Sequence, residues 1–385
     1  MKRIKILLLE FLVFVLIVPV MIEAETIEKA KGNAKNSRDS GYQLYFKSNF
    51  EGAAKEFRKA IELNPINEEY HFLLAKSLHK QKLSAQAIDE IRYAVGIKPD
   101  YEQAHLLLGD IYFEGENWQE AEKSYLKVIE LNSKNFDARF KVGQVYIKIK
   151  RVDDAITHLK QAKELNGDEP YVSFYLGQAY LEKEEISLAV SSFDNAIRLQ
   201  TNNPLFYYWR GNAFFAAGDY RDPNDYNWRS VVDYQQTIEF GLSTPYVYFM
   251  LGNTLLNRAF YCLTVNRTTD SLDLLERSIV KYQEVIALEP AASNAYNNLG
   301  LAYYYLGRWD EAIVSYKKAI DLEPVVAFFH DNLADVYYKK AEFNEAIAQW
   351  KLIQELDSNY MGSDVYFPTS QKPIKEKLRE AQRRK

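Results

Sequence analysis

Side chains able to carry out chemistry are few in this chain of 385 residues, and they are widely spaced. Histidine is the side chain best suited to metal binding or proton transfer near neutral pH. The chain has five histidines: His71, His79, His105, His158 and His330. Three of these, His71, His105 and His330, occupy equivalent positions of a repeating pattern, so each belongs to a different structural element. We therefore expect packing roles for them and no metal site.

The other reactive groups point the same way. Cys262 is the only cysteine, so no internal disulfide can form, and we expect this side chain to act as a buried small hydrophobe. Acidic pairs such as Asp153 and Asp154 lie at predicted helix turns, where solvated caps are ordinary. The motifs HExxH, CxxC, GxSxG and GxxxxGK[ST] are absent from the sequence. The sequence predicts no enzyme, no cofactor and no small-molecule substrate.

A fixed interval of 34 residues organises the chain. Small residues recur at this interval at Gly41, Ala75, Gly109, Gly143, Gly177 and Gly211, and the column continues at Gly252, Gly300 and Ala334. Further along each repeat a second column holds bulky residues: Phe57, Ile91, Tyr125, Leu159, Phe193, Tyr234, Tyr282, Tyr316 and Trp350. The residues around both columns step by three and four, which is the spacing of one helix face. We predict two antiparallel helices per repeat, packed closely at the small residues.

The stretch from residue 295 to 324, AYNNLGLAYYYLGRWDEAIVSYKKAIDLEP, resembles the tetratricopeptide repeat (TPR) family. The family's small, aromatic, Ala, aromatic, Ala and Pro positions fall on Gly300, Tyr303, Ala312, Tyr316, Ala319 and Pro324. The resemblance implies an all-α fold, a TPR solenoid of antiparallel helix pairs forming a right-handed superhelix. It also implies a scaffold without catalysis of its own, which binds a peptide segment or partner protein in the concave groove of the superhelix.

The period divides most of the chain into nine repeats. Their predicted bounds are 34–67, 68–101, 102–135, 136–169, 170–203, 204–244, 245–292, 293–326 and 327–360. Residues 1–24 are predicted to be a signal peptide or an N-terminal membrane anchor, and residues 25–33 a polar linker. Residues 361–385 are predicted to contain a basic capping helix, because the last repeat of a solenoid needs a polar cover.

The amino terminus indicates export. Lys2, Arg3 and Lys5 precede an apolar stretch whose uninterrupted part, residues 11–22, is about twelve residues long, a length that suits a signal-peptide core. Cleavage would follow Ala24. The alternative is an uncleaved anchor over residues 4–22, which would associate the chain with a membrane. In either case we expect the repeats to be exported, to the periplasm or cell envelope if the source is bacterial.

Charge and composition limit the class of partner. The formal net charge of −5 argues against nucleic-acid binding, which requires a basic stripe. A hydrophobic content of 47% is sufficient for the continuous core of a solenoid. We therefore expect a protein or peptide partner and no nucleic acid.

Two columns on the first helix of each repeat are candidates for the binding surface, because in this family the first helix lines the groove. They lie three residues before and one residue after the small residue, four apart and on one helix face. In the middle repeats they hold Phe140, Gln144, Phe174, Gln178, Tyr208, Asn212, Phe249 and Asn253. Amides can pair with the backbone of an extended peptide, and aromatic rings can form side-chain pockets. The alternative is that these rings pack against the neighbouring repeat.

Two features known from other family members are not expected. Arg38 and Lys76 are isolated among aromatic and acidic residues, so a basic clamp for a terminal carboxylate is not predicted. Asn298 and Asn332 resemble members of the asparagine row in the repeats of O-linked N-acetylglucosamine transferases. Two such residues are too few to predict a row.

Repeats 6 and 7 carry insertions, of about seven residues near 221–228 and about fourteen near 262–272. We expect both at the turn between the two helices of a repeat, as neighbouring loops. They support an alternative function, a structural component of a cell-envelope assembly or secretion machine that contacts partners through its insertions and ends. A third hypothesis, an enzyme or carbohydrate-binding protein, requires converging carboxylates near Asp222, Asp225 and Asp270.

Overall fold

The structure, a computed structural model, describes residues 18–218, 225–357, 360 and 373–384. In these ranges the chain forms nineteen α-helices and no strand. The all-α prediction is therefore confirmed. Most of the predicted signal peptide or anchor, residues 1–17, lies outside the described residues.

The helices follow one another as α1 (Val18–Phe46), α2 (Phe50–Leu63), α3 (Glu68–Lys80), α4 (Ser84–Ile97), α5 (Glu102–Glu114), α6 (Trp118–Leu131), α7 (Phe136–Lys148), α8 (Val152–Leu165), α9 (Pro170–Glu182), α10 (Ile186–Leu199), α11 (Pro204–Ala217), α12 (Tyr226–Glu239), α13 (Pro245–Thr264), α14 (Thr268–Leu288), α15 (Ser293–Tyr305), α16 (Trp309–Leu322), α17 (Ala327–Lys339), α18 (Phe343–Leu356) and α19 (Ile374–Arg384).

Consecutive helices pack in pairs, and each pair also packs on the next within two compact bodies. The N-terminal body, Met1–Gly167, holds the pairs from α1/α2 to α7/α8, and the C-terminal body, Asp168–Lys385, holds those from α9/α10 to α17/α18. Each body is a stack of TPR-type helix pairs. The core of each lies between the two helices of a pair and between neighbouring pairs.

The small residue of a first helix lets the bulky residue of the second helix approach its backbone. A Cβ atom added at Gly177 would lie 2.5 Å from the ring of Phe193, and one added at Gly109 would lie 2.5 Å from the ring of Tyr125. Both rings are fully buried. The two columns recognised in the sequence are therefore the two sides of one contact, which only a very small residue permits.

The turn between the two helices of a repeat has a recurring geometry. The chain adopts a left-handed conformation, with φ between 56° and 74°, at Ser48, Lys82, Glu116, Lys150, Glu184, Asn266, Gly307 and Ala341. A left-handed residue ends a helix because it turns the next N–H groups back onto the last carbonyls. Repeat 6 differs, since Gly218 has φ −86° and the chain then enters residues 219–224, which lie outside the described part.

The insertion in repeat 7 is helical, so the prediction of a loop near 262–272 is wrong. Helices α13 and α14 have 20 and 21 residues, whereas α9 and α10 have 13 and 14. The extra residues add about two turns to each helix. The added turns bury apolar side chains, including Ala259, Cys262 and Leu274, and this burial makes a helix pair more stable than a solvated loop. In repeat 6, residues 221–224 lie outside the described part, and α12 begins at Tyr226.

The predicted polar linker, residues 25–33, is also helical, as part of α1. Its Glu, Lys and Ala residues favour helix, and the buried Ala34 that follows packs with Ala60 and Tyr70. At the other end, α19 forms the helix expected within residues 361–385, with Ile374, Leu378 and Ala381 buried. No helix in the described part of the chain has the length and apolar character needed to cross a membrane.

Candidate functional site

The eight candidate residues lie on the first helices α7, α9, α11 and α13, in what we call the inner columns. These are the positions three before and one after the small residue of each first helix. Phe140 and Gln144 lie on α7, in the N-terminal body. The other six lie in the C-terminal body, where neighbouring first helices such as α9 and α11 contact each other directly.

Phe174 belongs to the interior. Its ring is only 4% exposed and lies 5.2 Å from the ring of Phe206 and 6.1 Å from that of Phe193, measured between centroids. The structure thus places this side chain as the packing alternative describes, between its own second helix and the following repeat. It has little surface left for a ligand.

The next two aromatics of the column are partly exposed. The Tyr208 ring lies 6.3 Å from the rings of both Tyr234 and Tyr246. The Phe249 ring contacts Tyr282 edge to face at 6.1 Å. Phe249 also lines an open cavity of about 370 Å³ together with Tyr246. These rings combine a buried edge with an accessible one, as a side-chain pocket requires.

The two asparagines of the column accept hydrogen bonds from buried tyrosines. The Tyr234 hydroxyl donates to Asn212 Oδ1 at 2.7 Å, and the Tyr282 hydroxyl donates to Asn253 Oδ1 at 2.9 Å. In the N-terminal body Tyr125 donates in the same way to Asp110 at 2.9 Å. A buried hydroxyl without an acceptor would be destabilising, so these three column residues have a structural role. Burial raises the pKa of Tyr125 and Tyr234 far above its usual range and keeps both hydroxyls as donors.

The two glutamines of the column differ from the asparagines. The bulky residue opposite Gln144 is Leu159, and the one opposite Gln178 is Phe193, and neither carries a hydroxyl. Both glutamines are partly exposed. Across the described ranges, neither amide is hydrogen-bonded to another group of the chain. In repeats 3 to 7 the sequence places Asp or Asn opposite Tyr, and Gln opposite Leu or Phe. This pairing could have separated the two kinds of position, although repeat 8 departs from it because Leu301 stands opposite Tyr316.

The surroundings of Gln144 are amphipathic. Phe140 is partly exposed and stacks on Phe136 with 5.7 Å between ring centroids. On the same helix, Lys141 Nζ lies 2.6 Å from Asp110 Oδ1 of the preceding repeat. An exposed ring, an amide and a paired charge therefore lie on adjacent positions of one surface of the N-terminal body.

Four asparagines of the last three repeats form a hydrogen-bonded cluster, although they do not all occupy equivalent positions of the repeat. Asn298 Nδ2 donates to Asn253 Oδ1 at 2.8 Å, Asn297 Nδ2 donates to Asn298 Oδ1 at 3.0 Å, and Asn332 Nδ2 donates to Asn297 Oδ1 at 2.8 Å. All four residues are at most 8% exposed. Asn253 and Asn297 belong to the inner columns, and the repeat spacing did not predict their contacts with Asn298 and Asn332. The amides bind one another and join α13, α15 and α17.

The inner columns of the last repeat are acidic and hold a lysine from the C-terminal helix. Lys377 Nζ donates to Asp331 at 2.9 Å and to Asp335 at 3.0 Å, and the Trp350 indole N–H donates to Asp331 at 2.9 Å. Burial raises the pKa of Asp335 to about 6, although Lys377 opposes the shift. The sequence predicted a basic cap here without predicting this pairing.

The histidine column has a structural function. The ring Nε2 atoms of His71, His105 and His330 lie 3.0 Å, 2.9 Å and 2.9 Å from the carbonyl oxygen of the proline six residues earlier, respectively Pro65, Pro99 and Pro324. This contact ties each first helix to the turn that precedes it. No group of three or more His, Cys, Asp or Glu side chains within the described ranges is arranged to hold a metal ion.

The carboxylates required by the third hypothesis are engaged or outside the described part. Asp225 Oδ1 lies 2.7 Å from an Arg258 nitrogen, and Asp270 pairs with Arg267 at 2.6 Å. Asp222 lies outside the described residues. Two carboxylates that are each neutralised by an arginine do not form an acid–base pair.

Comparison with known families and structures agrees with this geometry. Models described as tetratricopeptide repeat match residues 293–324 and 136–169, and a model described as TPR repeat matches 41–82, 109–150 and 177–218. No match to the chain was found among the curated proteins.

Solved structures of TPR proteins are similar to this chain. The C-terminal part of a TPR protein from Cytophaga hutchinsonii is 19% identical, with 67% of this chain and 98% of that chain covered and a TM-score of 0.53. A TPR protein from Parabacteroides merdae is 14% identical, with 70% and 99% covered and a TM-score of 0.49. YrrB, described as a TPR protein with an unusual peptide-binding site, is 20% identical, with 53% and 94% covered and a TM-score of 0.45.

The matched segments, the helix pairs and the packing of small against bulky columns lead to one conclusion. The repeats match the family models in several places along the chain, and the helices between the matches continue the same pattern. The chain belongs to the tetratricopeptide repeat family, whose repeats form scaffolds for protein–protein interaction.

Proposed function

We propose that this protein is an exported scaffold that binds extended peptide segments of a partner on the inner columns of repeat 4 in the N-terminal body and of repeats 5 to 7 in the C-terminal body. Membership of the TPR family supports protein binding as the general role and gives no support for catalysis. The observation that carries the peptide mode is the contrast within one column. Asn212 and Asn253 are bonded to buried tyrosines, whereas Gln144 and Gln178 present their amides without such a partner.

A partly exposed primary amide suits a peptide backbone because it donates and accepts at once. A glutamine that pairs with the N–H and the C=O of one residue of an extended peptide replaces two contacts with water, and each such bond contributes about 1 kcal/mol net. Next to Gln144, the accessible edge of Phe140 supplies apolar contact for a ligand side chain. Tyr208 and Phe249 supply the corresponding edges in the C-terminal body.

The proposal is tested by replacing both glutamines in the full chain. A partner segment identified by capture from envelope extract is synthesised and its dissociation constant is measured by calorimetry. We expect the double variant Gln144→Ala, Gln178→Ala to bind at least about tenfold more weakly, because each glutamine loses up to two hydrogen bonds.

The matched control is the double variant Gln119→Ala, Gln235→Ala. These two glutamines are exposed on the second helices α6 and α12, one in each body. We expect this variant to bind as the wild type does. Equal affinity of the inner-column variant and the wild type, with both folded by circular dichroism, would show that the inner columns do not bind the segment.

A second function is favoured by an apolar column on the second helices. Val232, Val280 and Val314 occupy equivalent positions in three consecutive repeats and are 46%, 48% and 68% exposed. Repeats 1 to 5 have polar residues there: Lys55, Asp89, Lys123, Thr157 and Ser191. An exposed apolar row on a solenoid indicates a contact with another protein. It supports the alternative of a component of an envelope assembly.

The two functions are separated by one further variant. The triple change Val232→Ser, Val280→Ser, Val314→Ser removes apolar surface without touching the inner columns. If this variant loses the captured partner and the glutamine variant keeps it, the protein acts as an assembly component. The reverse pattern supports the peptide groove.

A further inference from the structure

The C-terminal helix α19 lies on the inner columns of the last repeat as a ligand would. Its buried residues Ile374, Leu378 and Ala381 follow the spacing i, i+4, i+7. This is the anchor spacing of an amphipathic helix bound in a groove. Lys377, at i+3, is the polar member of the same face, and its side chain is only 12% exposed.

The site beneath Lys377 is built for a cation. Asp331, whose side chain is fully buried, accepts hydrogen bonds from Lys377 Nζ at 2.9 Å, from the Trp350 indole N–H at 2.9 Å and from the Tyr360 hydroxyl at 3.4 Å. Asp335 receives the same ammonium group at 3.0 Å. Two carboxylates thus share one lysine, so the site is still acidic when it is filled.

Such a site exceeds what a cap requires. A cap needs apolar contact on one face and polar residues on the other, and α19 has both, with Lys375, Arg379 and Arg383 exposed. A buried ion pair adds little stability compared with an apolar contact, and its best-attested use is to select one partner or one register. Removal of α19 would take from Asp331 the cation that it binds in the folded chain.

We propose that the inner surface of the last repeat is a binding site for an amphipathic helix with apolar residues at i, i+4 and i+7 and a lysine at i+3, and that α19 is its resident ligand. In the free chain the site is occupied by its own helix. A partner helix of the same pattern competes with α19 for Asp331 and Asp335. The site is separate from the glutamines of the proposed peptide groove, so either assignment can fail without the other.

The test reverses the charge of the lysine in the full chain. In the variant Lys377→Glu a third carboxylate meets Asp331 and Asp335, and we expect α19 to leave the site. Hydrogen exchange of residues 374–384 should become at least tenfold faster than in the wild type. The control is Arg379→Glu, which makes the same change of charge on the exposed face of the same helix and should leave exchange unchanged.

The second measurement adds the C-terminal helix as a separate peptide. A fluorescently labelled peptide of residues 373–385 is titrated by polarisation against each full-length protein. We expect it to bind the Lys377→Glu variant at least tenfold more tightly than it binds the wild type or the Arg379→Glu variant, whose sites are occupied. The same peptide with glutamate in place of Lys377 should bind none of the three proteins.

Three results would overturn the proposal. One is equal exchange of α19 in Lys377→Glu and Arg379→Glu. Another is release of α19 without binding of the peptide, while exchange in α1–α18 stays as in the wild type. If Lys377→Glu does not fold, Lys377→Met is used, which keeps the length of the side chain and removes its charge. Unchanged exchange of α19 in that variant also contradicts the assignment.

Discussion

At the scale of single residues, the molecule depends on pairs in which one residue is small so that another can be large. Gly177 and Phe193 illustrate this, because the glycine has no atom where the ring needs space. The same pairing recurs at Gly109 with Tyr125. Each pair is buried, so a change on either side must move a helix or open a void.

We predict that Gly177→Ala destabilises the protein by about 1–3 kcal/mol, because the added Cβ would lie 2.5 Å from the Phe193 ring. Urea unfolding followed by circular dichroism measures the change in the free energy of unfolding. Gly96→Ala is the control, since Gly96 is also helical but no atom lies within 4 Å of the added Cβ. It should be neutral or stabilising by up to about 1 kcal/mol. Equal effects of the two substitutions would contradict the packing account.

A second residue-scale prediction concerns pH. The His71 ring lies 2.7 Å from Glu90 and 3.0 Å from the Pro65 carbonyl oxygen, and the hydrogen bond to Glu90 is the main cause of its raised pKa. A folded-state pKa above the unfolded value of about 6.5 stabilises the protein fully below that pH, and the stabilisation is lost as the pH rises through the folded pKa.

We therefore expect the wild type to lose more stability between pH 6 and pH 8 than the variant His71→Gln does. The difference should stay below about 1 kcal/mol, because Glu90 is partly solvated. Unfolding free energies at the two pH values measure it. His105→Gln is the control, since His105 contacts the Pro99 carbonyl oxygen in the same way. If the stability of His71→Gln changed with pH as that of the wild type does, protonation of His71 beside Glu90 would not contribute to stability.

At the scale of elements, the docking of α19 places two carboxylates beside one ammonium. Burial raises the pKa of Asp335 to about 6, from 3.8. The folded chain then binds this proton more tightly than the unfolded chain, so stability rises as the pH falls through 6 towards 3.8. At neutral pH the ionised carboxylate of Asp335 therefore lowers the free energy of unfolding.

We predict that Asp335→Asn stabilises the protein at pH 7.5 by about 1–2 kcal/mol and by about a third of that at pH 4.5, where the carboxylate is neutral in the folded chain but still mostly ionised in the unfolded one. Asp331 remains to pair with Lys377, so α19 should stay docked. Thermal unfolding at both pH values gives the comparison, with Asp321→Asn on the surface as the control. A loss of stability at pH 7.5 would mean that the second carboxylate is needed by Lys377.

The long helices α13 and α14 give the other element-scale prediction. Leu274 is buried on the added turns, whereas Leu272 is 43% exposed on the same turns. Leu274→Ala should cost about 2–4 kcal/mol because it opens a cavity, and Leu272→Ala should cost less than about 1 kcal/mol. Chemical denaturation measures both. If the added residues were a solvated loop, the two substitutions would have equal and small effects.

At the scale of the whole molecule, the prediction concerns the amino terminus. The proposal of export depends on Lys2, Arg3 and Lys5 ahead of the apolar residues 11–22. We expect protein purified from its source to begin at Glu25, as measured by intact mass, and to fractionate with exported proteins. Full-length mass with membrane fractionation would establish the anchor over residues 4–22. Full-length protein in the cytoplasm would contradict export altogether.

The sequence by itself determined the helix pairs and the contacts inside each repeat. Gly177 and Phe193 meet because they are sixteen residues apart on two consecutive helices, and the period repeats that arrangement. Such contacts depend on local chain geometry, so the types of a few residues at fixed spacing are enough to predict them. The two kinds of inner-column position also follow from the residue opposite each of them.

Two features become visible only in the three-dimensional structure. One is which polar side chains are hydrogen-bonded within the protein, and the other is which inserted segments are helical. Asn253 meets Asn298 across 45 positions, and Lys377 meets Asp331 across 46, and neither distance is a multiple of the repeat. The added turns of α13 and α14 are helical because they bury side chains against each other, which a count of extra residues does not show. Contacts between elements that the period does not relate depend on the three-dimensional packing, which in the described ranges leaves the amides of Gln144 and Gln178 without a hydrogen bond to the chain.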